Sequence, residues 1–152
     1  MKRLVIGFVA AMLVFSPAWG YDKELAEDYA KFFSAFNEKE VPKALKRVTV
    51  EKLVKAIKAG EKITILDVRT KAETGVFGFT YKDTLVIPMN QVFMDENLAR
   101  IPTDHKVIVA CQKGLRSTII NLALRNIGYQ NTYSLKGGFV GLVTYLNAKH
   151  AF

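Results

Sequence analysis

The chain has 152 residues, of which 50% are hydrophobic and 24% charged, and its formal net charge is +8. This length suffices for one domain with its own core, and no repeat or low-complexity tract suggests a solenoid or a disordered chain. Lysine and arginine are scattered rather than clustered, so the positive charge predicts a solvated basic surface and no nucleic-acid partner.

Residues 1–20 have the pattern of a secretory signal peptide. Two basic residues precede an uncharged, mostly apolar run at 4–15, and small residues follow it. Such a segment is removed on export, here after Gly20 or, as the alternative, after Ala18. The apolar run is too short to span a bilayer as a stable helix, although retention as an N-terminal anchor is the other alternative. We therefore expect a periplasmic or secreted protein without stable membrane insertion, whose mature form has 132 residues and a net charge of +6.

Residues 21–45 are predicted to form an amphipathic helix and a linker. Over 22–36 apolar side chains recur at helical spacing, at Leu25, Tyr29, Phe32, Phe33 and Phe36. This face packs either on the domain's own core or on a second copy or partner protein. The segment 37–46 is charged and carries Pro42, and we predict that it is a linker.

From residue 46 onward strands and helices alternate. The predicted strands are 63–69, 85–87, 106–110 and 132–135, and the predicted helices are 50–59, 91–97, 115–126 and 139–148, with a loop at 74–80. This alternation predicts an α/β fold with a doubly wound parallel sheet that carries helices on both faces.

Cys111 is the only cysteine, which excludes an intrachain disulfide and a Cys-x-x-Cys redox pair. In an exported protein a single cysteine indicates either an intermolecular disulfide or a free reactive thiol. Cys111 follows an apolar strand and precedes a helix, so it is predicted at the carboxyl end of a central strand, where open α/β sheets bind ligands.

The residues after Cys111 favour thiolate chemistry. Gly114 lets the backbone curl so that N–H groups face inward, and the N-terminus of the following helix adds further unpaired donors. Lys113 and Arg116 add positive charge, which favours the thiolate and attracts an anionic substrate. The alternative is that Cys111 is a small buried core residue, but the glycine and the two basic residues favour a reactive thiol.

Four sequence blocks, in this order and spacing, resemble a rhodanese-like domain. They are 65–70, 86–89, 107–117, and 128–129 together with 135–139. The resemblance covers about residues 46–149 and implies a cysteine, Cys111, that accepts a sulfane sulfur as a persulfide and passes it to a nucleophile. The six residues from Cys111 to Arg116 resemble the loop of sulfur-transferring members, whereas the related dual-specificity phosphatases have one residue more. Gln112 departs from the arginine that many members carry after the cysteine.

The predicted site has Cys111 as its catalytic residue. Its predicted substrate-binding residues are Gln112, Lys113, Gly114, Leu115 and Arg116, which offer N–H groups and cations to an anion. Ser117, Asp67 and Arg69 are predicted to support the loop, and the last two either orient it or form a structural ion pair.

No metal and no organic cofactor is predicted. His105 and His150 are interpreted as surface residues. They share no metal-ligand spacing with Cys111, so these three residues do not predict a metal site.

The predicted activity is the transfer of a sulfane sulfur from thiosulfate or polysulfide, small anionic sulfur compounds, to a thiophilic acceptor. A sulfur-acceptor protein is one such acceptor. Two alternatives are a sulfur carrier that delivers its cargo to a partner enzyme and a non-catalytic interaction domain of the same fold. We expect a monomer or a homodimer.

Overall fold

A computed structural model describes residues 20–34 and 36–147, and the chain divides into two compact units, of which the second begins at Asn37. The predicted signal peptide, apart from Gly20, lies outside the described residues, as does His150. Within the described ranges, no helix combines the length and the apolar character that crossing a bilayer requires.

The first unit contains helix α1 (Lys23–Phe33), the amphipathic helix predicted from the sequence. The Asp22 carboxylate caps it by accepting a hydrogen bond from the Leu25 N–H at 3.0 Å. Rings along its apolar face contact one another, and the Phe32 and Phe33 centroids lie 4.9 Å apart. No residue of α1 is buried, and Phe33 exposes 48% of its surface.

The second unit is built on a five-stranded parallel sheet in the order β1-β5-β4-β2-β3. Its strands are β1 (Arg47–Val48), β2 (Ile63–Asp67), β3 (Thr84–Val86), β4 (Lys106–Ala110) and β5 (Thr132–Leu135). The central strands β2 and β4 are buried along almost their whole length, which explains their nearly continuous apolar sequence. The predicted doubly wound sheet is confirmed, with β1 as an additional edge strand.

Helices cover both faces of this sheet. They are α2 (Val41–Leu45), α3 (Val50–Lys58), α4 (Lys71–Val76), α5 (Asp95–Leu98), α6 (Leu115–Asn126) and α7 (Gly138–Tyr145), with a 3-10 helix at Met89–Gln91. Residues of α3 and α7 pack on Ile65 and Ile108, which point to one face. Residues of α6 pack on Leu66 and Val109, which point to the other. Each face therefore has its own apolar core.

The predicted linker at 37–46 contains α2 and is tied to α6. The Leu45 carbonyl accepts a hydrogen bond from Asn121 Nδ2 at 2.8 Å, and the Ala44 carbonyl accepts one from Arg125 Nε at 3.1 Å. These residues are therefore part of the second unit, which begins at Asn37, and they contain a short helix that the sequence did not predict.

The predicted loop at 74–80 was partly wrong, because α4 extends to Val76. A capping box starts this helix: the Thr70 hydroxyl accepts the Glu73 N–H, and the Glu73 carboxylate accepts the Thr70 N–H. The two reciprocal bonds stabilise the first turn enough for the helix to include Gly75.

His105 is not the surface residue that the sequence suggested, since its side chain is only 13% exposed. Its Nε2 lies 2.8 Å from Thr64 Oγ1, and its Nδ1 lies 2.7 Å from the Asp104 carboxylate. These residues lie at the amino end of β4, the opposite end from Cys111. His105 therefore lies at the amino end of the sheet and is not part of the cysteine loop.

Candidate active site

Cys111 lies directly after β4, between the carboxyl ends of β2 and β5, and is 1% exposed. Its Sγ accepts a hydrogen bond from the Gly114 N–H at 3.1 Å and lies 3.6 Å from Ser117 Oγ. The Ser117 hydroxyl in turn donates to the Gly114 carbonyl at 3.1 Å. The thiol thus sits inside a tight turn that leads into α6.

Two opposing influences act on the pKa of Cys111. Burial raises it, but hydrogen bonds from the Ser117, Gly114 and Lys113 N–H groups outweigh burial together with the Ser117 hydroxyl, which accepts from the thiol and can turn to donate to the thiolate. The pKa of Cys111 therefore lies below that of an ordinary thiol. We predicted part of this effect from the charges of Lys113 and Arg116, whereas the largest contributions that lower the pKa are the hydrogen bonds from Ser117, Gly114 and Lys113.

Helix α7 holds the cysteine loop through the backbone. The Phe139 N–H donates to the Cys111 carbonyl at 2.8 Å, and the Val140 N–H donates to the Gln112 carbonyl at 3.1 Å. Because these carbonyls are bound to α7, the loop's N–H groups are left to face the sulfur. Gly138 has φ +57°, and a Cβ there would clash with the Cys111 and Gln112 carbonyl oxygens, so only glycine fits.

Gly114 is the second position in the site where glycine is required. Its φ is +100°, and a Cβ would lie 3.2 Å from both the Gly137 nitrogen and the Leu135 carbonyl oxygen. This conformation directs the Gly114 N–H toward Sγ at the N-cap of α6. The curled backbone predicted at this glycine is therefore present.

Asp67 and Arg69 form a buried ion pair outside the cysteine loop. Arg69 donates from Nε and from one terminal nitrogen to the two carboxylate oxygens, at 2.9 and 2.6 Å, and both side chains are at most 1% exposed. The Arg69 guanidinium also stacks on Phe139, with its Cζ 4.0 Å from the ring centroid. The Phe139 N–H holds the Cys111 carbonyl, so Phe139 lies between the ion pair and the loop.

A cavity of about 250 Å³ opens in front of the loop. It is lined by Glu73, Cys111, Gln112, Lys113, Leu115 and Arg116. The structure thus brings together the predicted site residues of the loop, with the Gly114 N–H directed at the sulfur, and it adds Glu73. In the part of the chain that the structure describes, no three His, Cys, Asp or Glu side chains converge as metal ligands would.

Arg116, predicted to hold the substrate anion, is bound to the carboxylate of Glu73. Its two terminal nitrogens donate to Oε2 at 2.8 Å and to Oε1 at 2.6 Å. These bonds and those from Thr70 lower the pKa of Glu73 to about 2, so the carboxylate is ionised at neutral pH. The pKa of Arg116 is raised, first by Glu73 and to a smaller extent by Cys111.

Glu73 was not among the predicted site residues. The available signal was the spacing from Thr70 to Glu73, which is that of a capping box. That spacing indicates a helix start, but it does not show which cation the carboxylate will meet.

The profile of the rhodanese-like domain matches residues 49–144, which is well over half of the chain. The chain belongs to the rhodanese-like family. This rhodanese-like chain is similar to a sulfurtransferase of Allochromatium vinosum, with 29% identity over 90 residues that cover 59% of this chain and 80% of that protein. It is 34% identical over 68 residues to the chloroplastic rhodanese-like domain-containing protein 11 of Arabidopsis thaliana. That match covers 45% of this chain and only 23% of the plant protein.

The fold comparison agrees with the sequence comparison. A crystal structure of a rhodanese-like domain protein from Staphylococcus aureus superposes on this rhodanese-like domain with a TM-score of 0.57 at 25% identity. The match covers 64% of this chain and 90% of the other. Residues 20–48 of this protein lie before the segment that the family profile matches.

A second concave surface, of about 730 Å³, meets the cysteine cavity of this rhodanese-like domain at Arg116. Its lining is mostly apolar and consists of Val68, Thr70, Met89, Asn90, Phe93, Arg116, Ile119, Ile120 and Ala123. Leu115 and Ile119 are 79% and 59% exposed. The opening of the cysteine cavity is therefore bordered by apolar side chains.

Proposed function

We propose that this rhodanese-like protein is a sulfurtransferase that carries a sulfane sulfur as a persulfide on Cys111. The observation that carries this proposal is the environment of Sγ, which is surrounded by N–H donors at the base of a small open cavity. Donors preorganised in this way stabilise a thiolate, and they would equally stabilise the negative charge at the end of a persulfide.

The first half-reaction transfers one sulfur to the protein. The Cys111 thiolate attacks the outer sulfur of thiosulfate and forms a new S–S bond. The bond between the two sulfurs of thiosulfate breaks, and sulfite leaves with its electron pair. A polysulfide reacts in the same way and leaves as a chain that is shorter by one sulfur. Lys113 lines the cavity and attracts such anions.

The second half-reaction returns the thiolate. Cyanide, a thiol or a thiol of a partner protein attacks the terminal sulfur of the persulfide, and the Cys111 thiolate is the leaving group. The loop amides that lower the pKa of Cys111 also make it a good leaving group, because they stabilise the charge that it regains. Neither half-reaction, as written, requires a metal or an organic cofactor.

The test is the intact mass of the mature protein after brief exposure to thiosulfate and, separately, to polysulfide, beside the Cys111→Ser variant. We expect the wild type to gain one sulfur atom and to lose it when cyanide is added, while the serine variant stays unchanged. No sulfur gain from either donor, or the same gain in the serine variant, would contradict the proposal.

A second candidate is a carrier that hands its sulfur to a partner protein. The observation that favours it is the apolar border of the cavity, where Leu115 and Ile119 are largely exposed. A carrier would accept one sulfur and keep it in the presence of excess small thiol, whereas an enzyme would turn over with that thiol.

We propose that either activity operates in the periplasm or outside the cell, on the support of the signal-peptide pattern at 1–20.

A further inference from the structure

Glu73 changes the charge that the cysteine cavity presents to a sulfur donor. The charged side chains of the lining are Glu73, Arg116 and Lys113, besides the Cys111 thiolate, while Gln112 and Leu115 carry no charge. Two N–H groups of Arg116 are given to the Glu73 carboxylate. The two cations of the cavity are therefore balanced by two anions, and Arg116 does not stand as an uncompensated cation for a second anion.

We propose that Glu73 is a selectivity residue that makes this site favour sulfur donors with one negative charge or none, such as organic persulfides, over the dianion thiosulfate. The inference rests on the proposed function, because it names the donor class at the same cysteine. Glu73 acts through the charge of Arg116 and is not among the reacting atoms.

The reaction with such a donor balances without a further reagent. The Cys111 thiolate attacks the terminal sulfur of R–S–SH, and the proton stays on that sulfur. The bond between the two donor sulfurs breaks, and R–S⁻ leaves with the electron pair. The products are a Cys111 persulfide and a thiolate.

Coulomb's law gives the expected size of the effect. For a separation taken as about 7 Å in water, removing one negative charge changes the rate with a monoanion by about two- to threefold. The interaction energy is proportional to the donor's charge, so the change for a dianion is about the square of that factor, or roughly four- to tenfold. The rate with a neutral reagent should not change when this charge is removed.

Glu73→Gln is the variant that isolates this charge. Glutamine at the third position of a capping box can still accept the Thr70 N–H, and its carbonyl oxygen can still accept one bond from Arg116. The start of α4 and the position of Arg116 are therefore preserved. Glu61→Gln is the matched control, because Glu61 is also bound to a cation, Lys106 at 2.7 Å, but lies at the opposite edge of the sheet.

The experiment compares alkylation of Cys111 by iodoacetate, an anion, and by iodoacetamide, which is neutral, in the mature wild type and both variants. Both reagents react with the thiolate, so the ratio of the two rates cancels any change in the pKa of Cys111. In Glu73→Gln this ratio should rise about two- to threefold. The rate of sulfur gain from thiosulfate, divided by the iodoacetamide rate, should rise by about the square of that factor.

In Glu61→Gln both ratios should equal those of the wild type. Ratios that are the same in Glu73→Gln and the wild type would overturn the proposal. So would a rise of the same size in Glu61→Gln, because the effect would then reflect the charge of the whole protein.

The wild type provides a check that needs no folded variant. If Glu73 compensates Arg116, the ratio of iodoacetate to iodoacetamide alkylation should change by less than about twofold between low and physiological ionic strength. A severalfold fall of this ratio with added salt would indicate an uncompensated cation and would overturn the proposal.

Failure of this inference can be distinguished from failure of the proposed function. Sulfur gain in the wild type with unchanged ratios in Glu73→Gln removes the selectivity role and leaves the sulfurtransferase standing. A shifted alkylation ratio without sulfur gain from thiosulfate, polysulfide or an organic persulfide such as cysteine persulfide removes the donor assignment together with the sulfurtransferase.

Discussion

At Cys111 the same local structure both buries the sulfur and lowers the pKa of the thiol. A buried thiolate without partners would be unstable, because burial disfavours the charged form. Here the turn into α6 supplies hydrogen-bond donors at Gly114, Lys113 and Ser117, and these outweigh burial. The site therefore does not need a histidine as a base beside the thiol.

This balance predicts how the reactivity of Cys111 depends on pH. A lowered pKa keeps the thiolate populated as the pH falls, so the iodoacetamide rate should reach half its plateau at a lower pH than it does for an unperturbed cysteine. Below that midpoint the rate should fall tenfold per pH unit. Ser117→Ala removes the hydroxyl at 3.6 Å from Sγ and should raise the midpoint.

The measurement is a pH series of alkylation rates by intact mass, with free cysteine in the same buffers as the reference. A midpoint at or above that of free cysteine would show that burial dominates over the hydrogen bonds, contrary to this prediction.

At the scale of elements, α7 shapes the active loop without lining its cavity. Its first N–H groups, at Phe139 and Val140, bind two carbonyls of the loop, and this requires the backbones of Gly138 and Cys111 to touch. The contact joins the start of one helix to the loop that precedes another. A side chain at Gly138 would separate these elements.

Gly138→Ala should therefore lower the free energy of unfolding by roughly 2–4 kcal/mol, through its positive φ and the clash with the loop carbonyls. Gly60→Ala is the matched control, since Gly60 has φ +75° but a methyl group there would meet nothing within 4 Å, and should cost only about 1 kcal/mol. Urea unfolding of both variants measures the difference. Equal losses of free energy of unfolding in the two variants would contradict this prediction, because the loop would then accommodate the methyl group without a clash.

At the scale of the whole molecule, the ion pair between Glu73 and Arg116 joins α4, which follows β2, to α6, which follows β4. It therefore bridges two connections at the carboxyl edge of the sheet. Asp104 forms another such bridge at the amino edge, where hydrogen bonds from Lys62 and His105 lower its pKa to about 2. Both carboxylates link parts of the chain that are distant in sequence, so their protonation should slightly lower the free energy of unfolding.

The sign of the pH effect follows from the depressed pKa of Glu73. Its stabilising contribution is fully present above its unfolded value of 4.5 and is lost as the pH falls toward about 2. The wild type should exceed Glu73→Gln in free energy of unfolding by roughly 1 kcal/mol or less near neutral pH, and this difference should shrink over that window. For Asp104→Asn the difference from the wild type should shrink over a lower window, from 3.8 toward about 2, and the two losses should add in the double variant because the sites are distant.

Urea unfolding at several pH values between 2 and 7 measures these differences. A difference between the wild type and Glu73→Gln that is the same at all pH values would show that the carboxylate charge of Glu73 does not contribute to stability.

Elements with a strong local pattern were predictable from the sequence. Helix α6 and strands β4 and β5 have the predicted bounds, because apolar runs and a flanking glycine mark their ends. Strand β1 was missed because two residues show no periodicity, and its pairing with Ser134 and Leu135 supplies the hydrogen bonds that define it. Helix α2 was missed for a similar reason, since it has five residues and is held by α6.

By itself, the sequence determined which thiol is the reactive candidate and which amides surround it. Cys111, Gly114 and Ser117 lie within seven consecutive residues, so the turn that aims these groups at Sγ is a local property of the chain. Only the tertiary structure decided the charge of the cavity and the support of the loop. Glu73 meets Arg116 across 43 residues of sequence because the sheet order places β2 beside β4, and α7 reaches the loop because β5 lies on the other side of β4. Contacts of this kind depend on strand order and helix packing, which residue spacing along the chain does not encode.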